Sequence, residues 1–529
     1  MRLHKTKEIN NMKKTLIIIF LALSIVSQGQ TFSSLLKDRT KVFNVKDYRA
    51  VGDSTTDDQT AVQNAINAAY SAGGGTVYLP KGAYNVTGLH SYSNVNITGD
   101  DAKIVAASTI SYDYILHLEG SLISNTTLTA NGTLGASSVS VTSSAAFAAG
   151  DYIVVSDSTF GNTTDALGKN QEFNRVLSVS SGTINLMNPL CGTYYSDSTA
   201  RVYKYSPVRD VIIEGLHFDI PGASDAGGIL LEYCYNVTVK GCKVTGMFYP
   251  GINIDKSANV HILDNIFMDG QDLSTGGRGY GFATYESSHN VLIKGNMTER
   301  VRENAVSNGS KHITVSDNIF RNSYDDGINT HGSGNRYVII SNNIIEGGCT
   351  AGGITIGGGK NNTDSDVLVS NNLITNLSKS GIVVNSTVAS QPMVRITIRD
   401  NEIRAFGLDA ASGIYARYME ESVIEGNVIR GNGDADQDYG IYVKLDTAVV
   451  VQNNVIDNIS GEGIVYESCD DVHILGNSVT NITGSNYYYS ETNGTIIFNG
   501  NISDGKGNLG AVTAGYNYFG SGWVTGLPE

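Results

Sequence analysis

Short apolar phrases recur along residues 250–468, and most of them end on a polar residue. Nine times the chain reads glycine, an apolar residue and three further residues, or a close variant of that order. Phrases that recur about every 20–50 residues are typical of a solenoid, in which each repeat adds one coil. The nine phrases begin at Gly251, Gly281, Asn304, Gly327, Gly353, Gly381, Gly413, Gly440 and Gly463.

The alternation inside each phrase predicts which side chains face outward. Successive side chains of a strand point to opposite faces, so we expect the second and fourth positions to face the core and the third and fifth to face solvent. This pattern predicts an all-β fold, a parallel β-helix whose outward positions form a binding surface. The fifth positions would form one column of Asp255, Tyr285, Asn308, His331, Gly357, Asn385, Arg417, Lys444 and Glu467.

A second column, made of asparagines, supports this register. Each asparagine follows an apolar-x-apolar strand, and the spacings run from 22 to 31 residues. Asparagine tolerates left-handed backbone geometry, and its amide can bond to the amides above and below it. We therefore predict a structural ladder of Asn265, Asn296, Asn318, Asn343, Asn372, Asn401, Asn427, Asn454 and Asn477.

Two segments depart from the repeats. Residues 61–72 place Val62, Ile66 and Ala69 on one helical face, with Thr56 or Asp57 as the predicted N-cap. Such a helix would cover the open apolar end of the solenoid. Alternating strands with Gly- and Ser-rich turns then predict a small β-rich insertion. The predicted organisation is a signal peptide at 1–30, a cap and first coils at 31–125, the insertion at 126–206, the main β-helix at 207–485 and a C-terminal cap at 486–529.

Charge and targeting signals narrow the function. The net charge of −15 argues against a nucleic-acid partner but allows an acidic polysaccharide to bind at a local cationic strip. Lys13 and Lys14 precede an apolar run at 16–26, which indicates a signal peptide and is too short for a membrane span. We expect a secreted or periplasmic protein. The five cysteines are scattered without ligand spacing, so we expect mainly free thiols.

The opening of the chain resembles a known superfamily. Residues 43–48 read Phe-Asn-Val-Lys-Asp-Tyr and residues 73–80 read Gly-Gly-Gly-Thr-Val-Tyr-Leu-Pro. This stretch resembles the pectate-lyase-like right-handed β-helix superfamily, and most closely the catalytic modules of secreted mannuronan C5-epimerases. The resemblance implies a right-handed parallel β-helix and polysaccharide chemistry. Many enzymes on this scaffold share the stretch, so it specifies the fold better than the reaction.

The epimerase motif is retained only in part. The family pattern is Tyr-Gly-Phe-Asp-Pro-His, with an aspartate one coil later. Tyr280 is retained, whereas Ala283 and Tyr285 stand in place of the aspartate and the histidine, and Asn308 stands in place of the later aspartate. The resemblance therefore carries over one tyrosine and not the full epimerase machinery.

The central outward positions suit the chemistry of uronic acids. Lyases and epimerases both remove the proton on C5 beside the carboxylate, which requires a neutralising group and a base; a lyase also needs an acid at the leaving oxygen. We expect Asn308 to bind the carboxylate, His331 to take the proton and Tyr285 to protonate the leaving oxygen, with the last two roles exchangeable. The predicted substrate-binding residues are Asp255, Tyr280, Arg300, Arg302, Asn329, Asn385, Tyr415, Arg417, Tyr442 and Lys444.

Paired carboxylates provide an alternative. Asp325 and Asp326 directly precede Gly327, and with Asp255 they would suit a glycoside hydrolase, although the same dipeptide is typical of a turn. The sequence thus predicts a lyase of an acidic polysaccharide. The alternatives are a hydrolase, a C5-epimerase with altered residues or a non-catalytic glycan-binding solenoid. We expect no metal site and no cofactor, with Ca²⁺ left open, and a monomer or homotrimer.

Overall fold

The computed structural model describes residues 41–529 with short gaps, and the predicted signal peptide lies outside the described residues. Among the described residues, no helix is both long and apolar enough to cross a membrane. The gaps are 111–112, 159–169, 223, 272–276, 286, 332–333, 358–363, 387–388, 390, 408–410, 433–436, 491–494, 505–512, 515, 520–521 and 526–529.

The repeated phrases form one parallel sheet of thirteen strands, which we call the thirteen-strand sheet. Each phrase pairs with the phrase of the next coil, so sequence neighbours along the solenoid are also neighbours in the sheet. Its strands are Leu89–Ser91, Tyr114–Glu119, Gly227–Glu232, Ile252–Asp255, Phe282–Tyr285, Ala305–Asn308, Ile328–Asn329, Gly352–Gly357, Ser380–Asn385, Ala411–Arg417, Gln437–Lys444, Glu462–Glu467 and Tyr487–Ser490.

The remaining faces of the coils form a sheet of thirty-one strands. A typical coil gives one strand to the thirteen-strand sheet and two to this larger sheet, so the predicted parallel β-helix is confirmed. The strands are Val42–Asn44, Asp53–Asp57, Gly75–Leu79, Gly82–Val86, Val95–Ala106, Val208–Asp219, Cys234–Lys240, Lys243–Thr245, Ala258–Leu263, Ile266–Met268, His289–Lys294, Met297–Glu299, Lys311–Ser316, Ile319–Ser323, Arg336–Ser341, Ile344–Gly348, Ser365–Ser370, Leu373–Thr375, Met393–Arg399, Glu402–Arg404, Met419–Glu425, Val428–Arg430, Thr447–Gln452, Val455–Ile459, Asp470–Leu475, Ser478–Ile482, Ile496–Asn499, Ile502–Ser503, Thr513–Ala514, Tyr516–Phe519 and Gly522–Thr525.

The core explains why the phrases begin with glycine. The second and fourth positions are buried, as Ile414 and Ala416 illustrate, and most of them belong to one continuous apolar cluster along the solenoid. Three fourth positions are buried polar residues instead: Thr284, Ser307 and Thr330. A Cβ atom on Gly413 would lie 2.4 Å from Cγ2 of Ile429 in the sheet behind it. Such an approach is closer than carbon atoms tolerate, so glycine lets the phrase pack directly against the core.

The asparagine ladder is confirmed, with one correction. Each ladder side chain accepts a hydrogen bond from the preceding ladder residue; for example, the amide Nδ2 of Asn343 lies 3.0 Å from Oδ1 of Asn372. The ladder continues beyond the prediction to Asn501. The left-handed conformation, however, belongs to the residue before each ladder position, such as Asn371 with φ of 56°. The side chain of the ladder residue then caps the corner that this residue forms.

The predicted helix covers the first coil and runs over Gln59–Ser71, with Val62, Ile66 and Ala69 buried. Its N-cap is Asp58 and not Thr56 or Asp57. The Asp58 carboxylate accepts the N–H of Gly52 at 2.9 Å, so it ties the helix start to the preceding turn. Two short 3₁₀ helices lie at Val45–Tyr48 and Ser196–Ser198.

The insertion is an antiparallel sheet of six strands, and its contacts with the solenoid extend to Lys311 and Arg336 of the middle coils. It has its own apolar cluster, and a second cluster joins its Phe173 and Tyr205 to Tyr233 and Tyr235 of the solenoid. The strands are Ser121–Thr127, Ser138–Ser140, Tyr152–Asp157, Asn170–Ser180, Thr183–Leu186 and Arg201–Ser206.

Two smaller features complete the fold. The five cysteines are free, and Cys191 is half-buried while the other four are buried. Parallel pairing continues past residue 485, because Tyr487–Ser490 pairs in register with Glu462–Glu467. The C-terminal segment therefore begins as a further coil of the solenoid.

The ladder should contribute directly to stability. The side chain of Asn372 accepts the N–H of Asn343 at 3.0 Å and donates to the carbonyl of Ile340 and to Asn401. Asn372→Ala would leave a buried N–H without its acceptor, so we expect the free energy of unfolding to fall by about 1–3 kcal/mol. Chemical denaturation measures this change, with exposed Asn67→Ala on the helix as the matched substitution. Equal denaturation midpoints for the two variants would contradict a structural ladder.

Candidate functional site

The fifth positions of neighbouring phrases stack in register. Asp255 pairs with Tyr285, and Tyr285 pairs with Asn308. The next strand continues this register, because Ile328 pairs with Ala305. Adjacent strands are about 4.8 Å apart, so three successive fifth positions span roughly 10 Å.

His331 occupies the fifth position of its phrase but lies beyond the strand. Strand Ile328–Asn329 has only two residues, and His331 adopts a left-handed conformation with φ of 48°. Its N–H donates to Oδ1 of Asn329 at 2.7 Å. The buried carboxylate of Asp364 accepts the Thr330 hydroxyl and thereby fixes the turn before His331. The prediction that His331 lies on a regular strand was therefore wrong. In this coil a turn held by side-chain hydrogen bonds orients the imidazole.

Glu303 is the direct partner of His331. Its carboxylate Oε2 lies 3.4 Å from Nε2 of His331; the Glu303 side chain is 2% exposed and the His331 side chain is 35% exposed. Burial disfavours the charged imidazole, but the hydrogen bond and the charge of Glu303 outweigh it and raise the pKa of His331. A buried carboxylate thus orients and increases the basicity of an accessible imidazole, an arrangement suited to a general base.

A guanidinium lies beside this pair. Arg302 donates to the Asp325 carboxylate at 2.6 Å and to the Tyr280 hydroxyl at 3.3 Å. The Arg302 and Asp325 side chains are 14% and 26% exposed, so a bound anion can reach them. Burial raises the pKa of Tyr280 to about 12, which keeps the phenol protonated near neutral pH.

Asp326 is a buried carboxyl one coil from Glu303. Burial, followed by the charge of Glu303, raises the pKa of Asp326 to about 7. It accepts hydrogen bonds of 2.6 Å from the Thr355 hydroxyl and from the Asn329 amide. The Asp326 carboxyl therefore keeps its proton up to about pH 7.

Tyr285 borders this group of side chains. Its ring packs with Tyr280, Ala283 and Val306 in a small apolar cluster. Burial, with the nearby Tyr280 and the charge of Glu303, raises the pKa of Tyr285. Asn308 ends the next strand and is half-buried. Tyr285 and His331, two of the predicted catalytic residues, therefore both lie near Glu303.

Several predicted binding residues lie apart from this group. Arg300 follows a strand of the larger sheet and pairs with Asp269 at 2.7 Å, so the structure does not bring it beside Arg302. Asp255 lies one coil before Tyr285 and pairs with Lys256 at 2.8 Å.

The C-terminal part of the column carries the cations and a pair of aromatic rings. Asn385 pairs with Arg417, and Arg417 pairs with Lys444. At the third positions of these coils the rings of Tyr415 and Tyr442 lie 5.5 Å apart. This region can contact anionic groups of a long ligand and stack against its sugar rings.

The sequence prediction missed Glu303. It stands one residue before its phrase, where neighbouring coils carry Tyr280 and Asp326. These three residues occupy equivalent, buried positions on consecutive coils, at the edge of the sheet. The sequence does carry a pattern that indicates Glu303, because a polar residue precedes each of three consecutive phrases. This pattern is hard to recognise because Asn304 replaces the glycine that usually begins a phrase.

Three family models match parts of the chain, and two of these matches overlap at residues 362–405. "Rhamnogalacturonase A/epimerase, pectate lyase-like" matches residues 42–261. "Periplasmic copper-binding protein (NosD)" matches residues 273–405, and "Right handed beta helix region" matches residues 362–503. The chain as a whole therefore has the features of a right-handed parallel β-helix.

Several curated relatives match a short segment of the chain. Mannuronan C5-epimerase AlgE2 of Azotobacter vinelandii is 54% identical over 65 residues, which are 11% of this chain and 6% of the relative. Alginate lyase 7 of the same organism is 54% identical over 65 residues, 11% of this chain and 8% of the relative. The match thus spans a small part of each relative. An epimerase and a lyase match equally well, so this segment does not distinguish the two reactions.

Two longer matches show the fold. Plasmin and fibronectin-binding protein A of Streptococcus pneumoniae is 23% identical over 529 residues, 89% of this chain and 61% of the relative. The tailspike gp61 of Pseudomonas phage phi297 superposes with a TM-score of 0.57 at 16% identity and covers 90% of this chain and 82% of the tailspike. These likenesses extend the β-helix over nearly the whole chain.

The raised pKa of Asp326 predicts a specific pH dependence of stability. The folded protein keeps the proton up to about pH 7, whereas an unfolded aspartate loses it near pH 4. The Asp326 carboxyl therefore lowers the free energy of unfolding as pH rises between these values. Asp326→Asn should match the wild type near pH 4 and exceed it by up to a few kcal/mol near pH 8, as measured by denaturation. A difference that stays constant with pH would contradict a buried, raised carboxyl.

Proposed function

We propose that this chain, a right-handed parallel β-helix of the pectate-lyase-like superfamily, is an exported lyase that cleaves a uronate-containing polysaccharide by β-elimination. The observation that carries the proposal is the pair of buried Glu303 and accessible His331, with Arg302 beside it. A general base next to a cation is what the first step of uronate elimination requires.

His331 would act as the base. The Glu303 carboxylate can only accept, so Nε2 of His331 donates to it when the imidazole is neutral, and the basic lone pair lies on Nδ1. Nδ1 would take the proton from C5 of the uronate. The electron pair of that C–H bond forms the C4–C5 double bond as the bond from C4 to the glycosidic oxygen breaks.

Arg302 and a tyrosine would complete the reaction. The Arg302 guanidinium would bind the uronate carboxylate and stabilise the negative charge that develops beside C5. The leaving oxygen needs a proton, and Tyr285 or Tyr280 would supply it, since the raised pKa of each phenol keeps it protonated. Asn308 would add a hydrogen bond to the carboxylate.

A glycoside hydrolase is the second candidate, and one observation favours it. A pKa of about 7 suits Asp326 to the role of general acid. Against this role, Asp326 is buried and accepts two hydrogen bonds, while Asp325 is held by Arg302. The carboxylates therefore serve better to bind and tune their neighbours than to attack a sugar.

The outward column would hold the rest of the substrate. From Tyr285 to Lys444 the column crosses six coil steps, about 29 Å. Arg417 and Lys444 lie near its C-terminal end, where Lys444 forms an ion pair of 2.5 Å with Glu467 of the next coil. An anionic polysaccharide bound along this face would meet the histidine near one end and the cations at the other. Secretion or export to the periplasm, and a monomeric or homotrimeric state, belong to the same proposal.

The reaction type can be tested on purified protein with a panel of alginate, polygalacturonate, glucuronan, hyaluronan, chondroitin sulfate and ulvan. We expect one substrate to give ultraviolet absorbance from the conjugated double bond, and His331→Ala to lose this activity by about 10²–10⁴-fold. His473→Ala is the matched control, because His473 is also 35% exposed and lies 3.3 Å from a carboxylate.

Other outcomes of this assay have distinct meanings. New reducing ends without ultraviolet absorbance would overturn elimination in favour of hydrolysis. A change in sugar composition without chain cleavage would indicate epimerisation. Binding of a substrate without any of these products would indicate a glycan-binding solenoid.

Glu303→Gln should act through His331. Without the Glu303 charge the pKa of His331 falls, so the rise of kcat/KM with pH should move to lower pH while kcat decreases. The pH profile of kcat/KM on the active substrate measures this shift. A profile with an unchanged midpoint would show that Glu303 does not control the base.

A further inference from the structure

Two histidines and a glutamate converge at the N-terminal end of the thirteen-strand sheet. His90 and His117 are direct partners on adjacent strands, and their rings lie 5.1 Å apart. Glu119 is two residues after His117 and points to the same face of the strand. This set lies outside the site around His331.

The potential ligand atoms are already close together. Nδ1 of His117 lies 3.6 Å from Oε1 of Glu119, and Nδ1 of His90 lies 3.8 Å from Oε2 of Glu119. The three residues offer ligand atoms within 4.8 Å of one another, and no other such group of His, Cys, Asp or Glu occurs in the part of the chain that the structure describes.

The hydrogen bond of His117 fixes which nitrogen can act as a ligand. Nε2 of His117 lies 2.8 Å from the carbonyl oxygen of Tyr114, which can only accept, so Nε2 carries the proton. The lone pair of the neutral ring is then on Nδ1, which faces Glu119. Metal-binding histidines usually donate their second nitrogen to a carbonyl or carboxylate in this way.

The helix that covers the first coil holds the second histidine. Gln63 accepts the N–H of His90 at 2.9 Å and donates to the carbonyl of His90 at 2.9 Å.

We propose that His90, His117 and Glu119 bind a divalent transition-metal ion of the Zn²⁺ type. Tetrahedral bonds of about 2.0–2.1 Å place ligand atoms roughly 3.3–3.4 Å apart, so the two separations between Glu119 and the histidines, 3.6 and 3.8 Å, need to shrink by only a few tenths of an ångström. The three ligand atoms lie within 4.8 Å of one another before any ion is bound. Two imidazoles favour such an ion over Ca²⁺, which prefers oxygen ligands. Three protein ligands leave one coordination position open toward solvent.

The site was absent from the sequence prediction because its ligands are distant in the chain. His-x-Glu at 117–119 is a common pattern, and only the pairing of strand Leu89–Ser91 with strand Tyr114–Glu119 adds the second histidine. The site lies five coil steps from His331, about 24 Å. It does not depend on the proposed elimination reaction.

Zinc binding tests the proposal directly. The full chain, treated with a chelator and dialysed, would be titrated with ZnCl₂ by calorimetry, with CaCl₂ as the comparison ion. We expect one Zn²⁺ per chain, a higher melting temperature with Zn²⁺ and little response to Ca²⁺. His90→Ala and Glu119→Gln change partly exposed side chains, and each should weaken Zn²⁺ binding by at least about tenfold.

The controls separate this site from adventitious binding. His473→Ala removes a histidine beside a single carboxylate and should leave Zn²⁺ affinity unchanged. The melting temperature without metal verifies that each variant is folded. Absence of stoichiometric Zn²⁺ binding to the wild type, or equal affinity in His90→Ala, Glu119→Gln and the wild type, would overturn the proposal whatever the outcome of the lyase assays.

Discussion

Hydrogen bonds between successive coils hold every column of side chains in register. The backbone pairs each strand with the same strand of the next coil, and the ladder repeats this bond with side-chain amides from Asn265 to Asn501. A shift of one residue would exchange the core and solvent faces of a strand. The ladder opposes such a shift, because each amide would lose both of its partners inside the core. Residues separated by a full coil in the sequence therefore meet at fixed spacing.

This register creates the electrostatics of the proposed site. Tyr280, Glu303 and Asp326 occupy equivalent positions on three consecutive coils, so their separation follows from strand spacing and not from a folded loop. Glu303 then acts on both sides: its charge raises the pKa of Asp326 and, through the hydrogen bond, the pKa of His331. For Asp326 this charge adds to the larger effect of burial, whereas for His331 it outweighs burial.

The repeating parts of the molecule could be predicted from the sequence, while departures from the repeat could not. The glycine phrases and the asparagine column predicted the sheets and the core, because both patterns recur once per coil in the sequence. The role of Glu303 was not predicted, because Glu303 precedes a phrase that lacks its glycine. The orientation of His331 was not predicted either, because the strand ends early and Asp364 of the following coil holds the turn through Thr330. Pairings between coils are needed to recognise either feature.

The net negative charge of the chain does not by itself prevent an anionic substrate from binding, because acidic and basic residues occupy different parts of the outward column. Glu119, Glu232 and Asp255 lie at its N-terminal end, neutral side chains and His331 follow, and Arg417 and Lys444 come later. Exposed charges farther apart than about 8–10 Å are largely screened at physiological salt. Glu119 is roughly 24 Å from His331, and Asp255, three coil steps away, is roughly 14 Å from it. Arg302 and Lys444 are paired with the carboxylates of Asp325 and Glu467, so a polyanion on the central and C-terminal coils would have to compete with these carboxylates for the two cations. A divalent cation held by His90, His117 and Glu119 would offset part of the negative charge at the acidic end.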